Sequence, residues 1–120
     1  MRYLANRMRW CASAFRVAWR DTSFKLWIPI CTASIVVGLV VGIGMTQLCL
    51  LVALAVLSLG LEMANSAVER LCDLVEPNRN PKIKVIKDTF GAVPALTFSA
   101  YIICWLILVA PTIYLRIAGG

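Results

Sequence analysis

Charged residues are absent from Leu26 to Leu61, a stretch of 36 positions, and again from Thr89 to Leu115. As one helix the first stretch would be ~54 Å long at a rise of 1.5 Å per residue, against a membrane hydrocarbon core only ~30 Å thick. It must therefore turn. The only hydrophilic spot inside it is Gly44-Met45-Thr46-Gln47, which predicts a tight turn there and a first span over 26–44. A second helix is predicted over 48–76, where Pro77 would stop it. The third uncharged stretch predicts a span over 89–115, long enough to cross with some tilt. Glu76-Pro77-Asn78-Arg79-Asn80-Pro81 reads as a loop by its turn residues. Lys82 to Asp88 reads as a short helical lead into the third span.

Residues 1–25 carry a different pattern. Leu4, Met8, Cys11, Phe15, Ala18 and Trp19 recur at helical spacing and fill one stripe. Arg2, Arg9, Arg16 and Arg20 fall opposite. Such a basic amphipathic helix is expected to lie on an anionic membrane surface. An Arg-rich, acid-poor start also fits an organelle transit peptide. It does not fit a secretory signal, because the apolar run starts late and no A-x-A site follows. The fold class expected is all-α: an N-terminal surface helix followed by three transmembrane helices.

Composition agrees with the pattern. Of 120 residues 61% are hydrophobic and 15% charged, well above the ~45–50% apolar share of soluble domains. The chain has no His, which excludes His catalysis and His-ligated metal. The five Cys form no C-x-x-C pair and read as small apolar helix residues. Gly38-x-x-x-Gly42 is a candidate close-packing face.

Twelve Lys and Arg oppose six Asp and Glu. The basic residues cluster before the first span and between the second and third, whereas the 44–47 turn has none and the C-terminus only Arg116. The positive-inside rule then puts the N-terminus and the 70–88 loop in the cytoplasm and the C-terminus outside. Three spans satisfy this; four would not. The basic excess is assigned to the membrane side, and no nucleic-acid partner is expected.

The acids are less scattered than chance would leave them. Glu62, Asn65, Glu69, Asp73 and Glu76 fall within about 80° of one another on a helical wheel, while Arg70 points elsewhere. Glu62 closes the apolar run that began at Leu48. An ionisable residue at that depth usually faces a bundle interior or a functional cavity, although a structural carboxylate bonded to a neighbouring helix is the alternative. Glu62 lies ~10 Å deeper than Glu69 by helical rise. A deep carboxylate can meet a lipid headgroup, and shallower ones can hold Mg²⁺ with phosphate oxygens and water. Lys87, at the entry to the third span, can pair with a phosphoryl group. The arrangement suggests phosphoryl transfer from a water-soluble donor to a membrane-embedded acceptor. No G-x-x-x-x-G-K-[ST] and no G-x-G-x-x-G is present, so phosphates would be held by other means.

Glu62-Met63-Ala64-Asn65-Ser66-Ala67-Val68-Glu69-Arg70-Leu71-Cys72-Asp73 resembles the E-x-x-N-[ST]-A-[IV]-E-x-x-x-D signature of the bacterial diacylglycerol kinase family, which includes the undecaprenol kinases. Lys87-Asp88 resembles that family's Lys-Asp pair. Ala18 to Lys25 resembles its A-W-x-x-E-x-x-F-[RK] stretch. The chain departs from the pattern at Asp21, which stands where the family has Glu and one residue closer to Trp19, and at Thr89-Phe90 and Pro94.

The resemblance implies one integral-membrane kinase domain over 1–120, homotrimeric, with sites between protomers in the bacterial inner membrane. It implies that MgATP phosphorylates a lipid alcohol at the cytoplasmic face, diacylglycerol to phosphatidic acid or alternatively undecaprenol. It further implies Glu62 as general base on the lipid hydroxyl and Asn65 as its neighbour in the lipid site. Glu69 and Asp21 would be the Mg²⁺ carboxylates, Lys87 the γ-phosphate contact and Asp88 its partner in nucleotide binding. Trp10 would pack by the adenine. The rivals from other classes are a small proton-coupled transporter with Glu62 as relay and an inactive trimeric scaffold.

Overall fold

The computed structural model describes residues 2–119, with the Arg2 side chain outside the described set. Among these residues the regular structure consists of four helices: α1 (Arg2–Ala18), α2 (Thr22–Val41), α3 (Met45–Val75) and α4 (Pro81–Ala118). The last three are each long and apolar enough to cross a membrane. The expected N-terminal helix and three helices of spanning length and apolarity are therefore present, and the Arg2 position of the basic stripe alone falls outside the described side chains.

Local chemistry sets the helix ends. Gly42 takes a left-handed φ of 77°, and its N–H returns to the carbonyls of Gly38 and Leu39. The Ile43 N–H bonds to Gly38 as well, at 3.1 Å. This is a Schellman-type helix end, which Gly tolerates without a Cβ clash. The turn predicted at 44–47 thus sits at 42–44. Thr46 and Gln47 belong to the first turn of α3, where the Gln47 side chain accepts the Gly44 N–H at 2.9 Å. Hydrophilic residues marked a helix start here and not the loop itself. Gly42 accordingly serves the turn, whereas Gly38 is buried under the Ile43 side chain, with Val109 of α4 next to it.

At the other end, Asn80 caps α4 by accepting the Lys82 N–H at 2.9 Å, with Pro81 in the first helical position. The expected lead over 82–88 and the third span form one unbroken helix of 38 residues, ~57 Å by helical rise. Its basic first turns extend beyond the apolar 89–115 stretch.

α3 and α4 pack against each other most extensively, and α2 lies against both. Their shared core is Cys31, Leu51, Ala55, Phe98, Tyr101 and Val109. Two polar contacts cross it: the hydroxyls of Ser34 and Tyr101 bond to each other, and the Trp105 indole donates to the Ser34 carbonyl at 3.0 Å, whereas the buried Ser58 hydroxyl has no partner. Cross-helix bonds of this kind set helix rotation where lipid provides little hydrophobic drive. The outer faces are apolar and open, with Val40 and Ile107 at 73% and 65% exposure, as suits lipid contact. Three antiparallel helices bring the start of α2, the end of α3 and the start of α4 to one end, where α1 also attaches.

Candidate active site

The polar face of α3 meets α2 and α4 at that end. Asp21 occupies the break between α1 and α2, because Trp19 and Arg20 end the first helix and Thr22 begins the second. Glu62 and Asn65, one turn apart on α3, are 8% and 7% exposed, so this face is turned into the bundle as its periodicity predicts. Glu69, one turn further, is exposed.

These four residues line one polar cavity of about 290 Å³, together with Arg20, Thr22, Ser23 and Ser66. A second cavity, of about 480 Å³, adjoins it on the deeper side and shares Ser23, Glu62, Asn65 and Glu69 with it. Its remaining wall is mostly apolar and includes Trp27, Pro94, Phe98 and Ile102. The Trp27 and Phe98 rings stack there, with centroids 3.8 Å apart and planes 9° from parallel. Glu62 therefore stands where a polar compartment meets an apolar one.

Within the polar cavity the Asn65 amide donates to Glu69 Oε1 at 3.1 Å. Asn65 Oδ1 is buried and has no partner. Gly91 of α4 faces it, and a methyl group added at Gly91 would lie 3.8 Å away. A buried acceptor left unpaired is unfavourable and calls for a donor, supplied by a bound water or a ligand in the cavity. Among the described residues no three acids or cysteines converge into a closed metal cage. Mg²⁺ needs none, since it binds through one or two carboxylates plus phosphate oxygens and water. Asp21 and Glu69 in an oxygen-lined cavity fit that requirement.

The other expected site residues lie elsewhere. Lys87 is hydrogen-bonded to the Asp73 carboxylate, and Lys84 pairs with Asp88 at 3.0 Å. All four line a separate cavity of about 680 Å³ under the 76–81 loop. Lys87 precedes the uncharged 89–115 stretch, and its bond to Asp73 pushes the ammonium pKa above its ordinary value, so it stays charged. Trp10 is 64% exposed on α1, about three turns from Asp21 along the chain. The structure thus brings Asp21, Glu62, Asn65 and Glu69 together and leaves Lys87, Asp88 and Trp10 outside their cavity.

Sequence reasoning missed two features of the site. The Trp27–Phe98 floor joins residues on different helices, and an aromatic in an apolar run gives no sign of its partner. Arg70, which the helical wheel turns away from the acids, reaches Asp21 across the helix gap, with Nη2 at 3.0 and 3.2 Å from the two carboxylate oxygens.

No curated protein and no solved structure matches the chain. A family model, prokaryotic diacylglycerol kinase, matches residues 9–109. That range takes in every residue of the polar cavity and of the apolar one beside it, as well as Trp10. Membrane-spanning helices, a carboxylate at the polar–apolar junction and a family match over most of the length agree: the chain belongs to the prokaryotic diacylglycerol kinase family of membrane lipid kinases.

Proposed function

We propose that the protein transfers the γ-phosphoryl group of ATP to the free hydroxyl of diacylglycerol, giving phosphatidic acid and ADP, with Mg²⁺ as cofactor. The observation that carries this reading is the position of Glu62 at the junction of the polar and apolar cavities. A lipid alcohol in the apolar cavity, with its hydroxyl at the junction, would meet a carboxylate, and a phosphorylated donor would reach the same point through the polar cavity.

Glu62 accepts the hydroxyl proton as the lipid oxygen bonds to phosphorus and the bond to the ADP oxygen breaks. The Asn65 amide orients Glu69, and its buried, unpaired Oδ1 is left as an acceptor for a bound water, because the one hydroxyl proton of the lipid goes to Glu62 and phosphate oxygens only accept. Asp21 and Glu69 would hold Mg²⁺. When bound, the ion offsets phosphate charge in a transfer that depends on positioning and electrostatics. Lys87 exchanges Asp73 for the γ-phosphate, and Asp88 supports nucleotide binding beside it. Trp10 packs by the adenine. The basic end of the bundle faces the cytoplasm of a bacterial inner membrane, and the open apolar faces associate in a homotrimer with sites between protomers.

The test is purified protein in micelles with labelled ATP and Mg²⁺, each lipid alcohol offered separately. Label in phosphatidic acid supports the reading. Label only in undecaprenyl phosphate moves the acceptor to the polyprenol, and no lipid-dependent transfer overturns the kinase reading.

A further inference from the structure

Asp21 holds the N-cap position of α2, with φ −81° and ψ 132°, yet its side chain makes no capping bond. An Asp there ordinarily turns its carboxylate onto the free N–H groups of its own helix. Here both oxygens go to Arg70 Nη2 instead. The same nitrogen lies 3.4 Å from the Val17 carbonyl in the last turn of α1. One guanidinium on α3 therefore ties down the end of α1 and the carboxylate at the α1–α2 break.

The charges explain why such a tie is needed. Asp21, Glu62 and Glu69 line one small cavity, and carboxylates so close repel one another. Without a cation the least hindered place for the Asp21 carboxylate is the N-terminus of α2, where N–H groups and the helix dipole both favour it. An ionised carboxylate has about four lone-pair sites, so a guanidinium bonded to each oxygen still leaves acceptor capacity for another ligand.

We propose that Arg70 is a positioning residue. It draws the Asp21 carboxylate off its own helix cap and fixes it in the wall of the cavity that Glu69 also lines, where the two acids can share a divalent cation. This inference rests on the reading of Asp21 as a Mg²⁺ ligand. Arg70 touches neither substrate nor metal and acts through Asp21.

The experiment uses the full-length protein in micelles, with Mn²⁺ as the probe ion and a non-hydrolysable ATP analogue, and counts free Mn²⁺ by its electron paramagnetic resonance signal. Arg70→Ala is expected to weaken Mn²⁺ binding about tenfold, the lower range for loss of a group that orients a metal ligand. Asp21→Asn should weaken it at least as much. The double variant should bind no more weakly than Asp21→Asn alone, because Arg70 acts through that residue. Arg70→Lys keeps the charge on a single nitrogen with a shorter reach and should recover part of the loss. In turnover, the Mg²⁺ half-saturation should rise while kcat at saturating MgATP stays within about twofold, as expected when binding and not the chemical step is impaired.

Unchanged Mn²⁺ affinity in Arg70→Ala beside a weakened Asp21→Asn overturns the positioning role and leaves Asp21 a ligand. Losses that add in full in the double variant overturn it too. Wild-type affinity in Asp21→Asn overturns the ligand assignment itself, and this inference with it. If Arg70→Ala does not fold in micelles, Arg70→Lys is read by the same criteria.

Discussion

Asn65 is bonded through its amide to Glu69, one turn along α3, while its own Oδ1 is buried and unpaired. One side chain therefore orients a carboxylate and offers a free acceptor at the boundary of two cavities. Asn65→Ala removes both. Lipid phosphorylation is expected to fall at least about tenfold, in line with loss of a buried hydrogen bond to a charged group. Thermal unfolding should change little, because the unpaired acceptor leaves with the side chain. Wild-type turnover with a lowered melting temperature would assign Asn65 to stability and not to the site.

Glu62→Gln keeps the shape of the side chain and removes its capacity to take a proton. General-base catalysis contributes roughly 10²–10⁴-fold, so kcat should drop by that order with the KM for lipid nearly unchanged. Steady-state kinetics in mixed micelles separate the two parameters. A variant with near-normal kcat would show that another group takes the proton.

The Lys87–Asp73 pair makes a pH prediction. Asp73 holds the Lys87 ammonium above its ordinary pKa, so the charged form persists to higher pH with the pair intact. Asp73→Asn lowers the folded-state pKa, and the charged form is then lost at lower pH. If the charge of Lys87 is needed for the phosphate, the alkaline limb of the kcat/KM profile shifts to lower pH in Asp73→Asn. A limb that does not move would detach Lys87 from the reaction.

Trp27 and Phe98 stack as the floor of the deeper cavity. An aromatic pair contributes about 1 kcal/mol beyond the area it buries, and its loss should loosen the acceptor pocket. Trp27→Leu is expected to raise the KM for lipid roughly fivefold, that energy expressed as a ratio of binding constants. The KM for MgATP should stay where it is, since the nucleotide enters from the polar side. Equal rises in both constants would mean that the change spreads through the bundle.

Much of this protein is legible without coordinates because the informative signals are local. An uncharged stretch of 36 residues has to turn in a membrane, and a 3.6-residue period puts Glu62, Asn65 and Glu69 on one helix face whatever that helix packs against. The N-terminal stripe and the four-helix order follow in the same way. The turn was displaced by two residues because hydrophilicity marks a helix start as readily as a loop, and only the left-handed φ of Gly42 identifies the break.

The tertiary structure decided which groups meet across helices. Asp21 and Arg70 are 49 positions apart, and on a wheel Arg70 faces away from the acids. Their contact depends on where the α1–α2 break lands beside α3, which no single-helix period contains. Likewise Lys87 could have reached the Glu62 cavity or Asp73, and the offset between α3 and α4 gave it to Asp73. Helical periodicity determines the direction of a side chain from its own axis. The rotation and offset of the neighbouring axes, set here by packing around Tyr101 and Ser34, determine what stands in that direction.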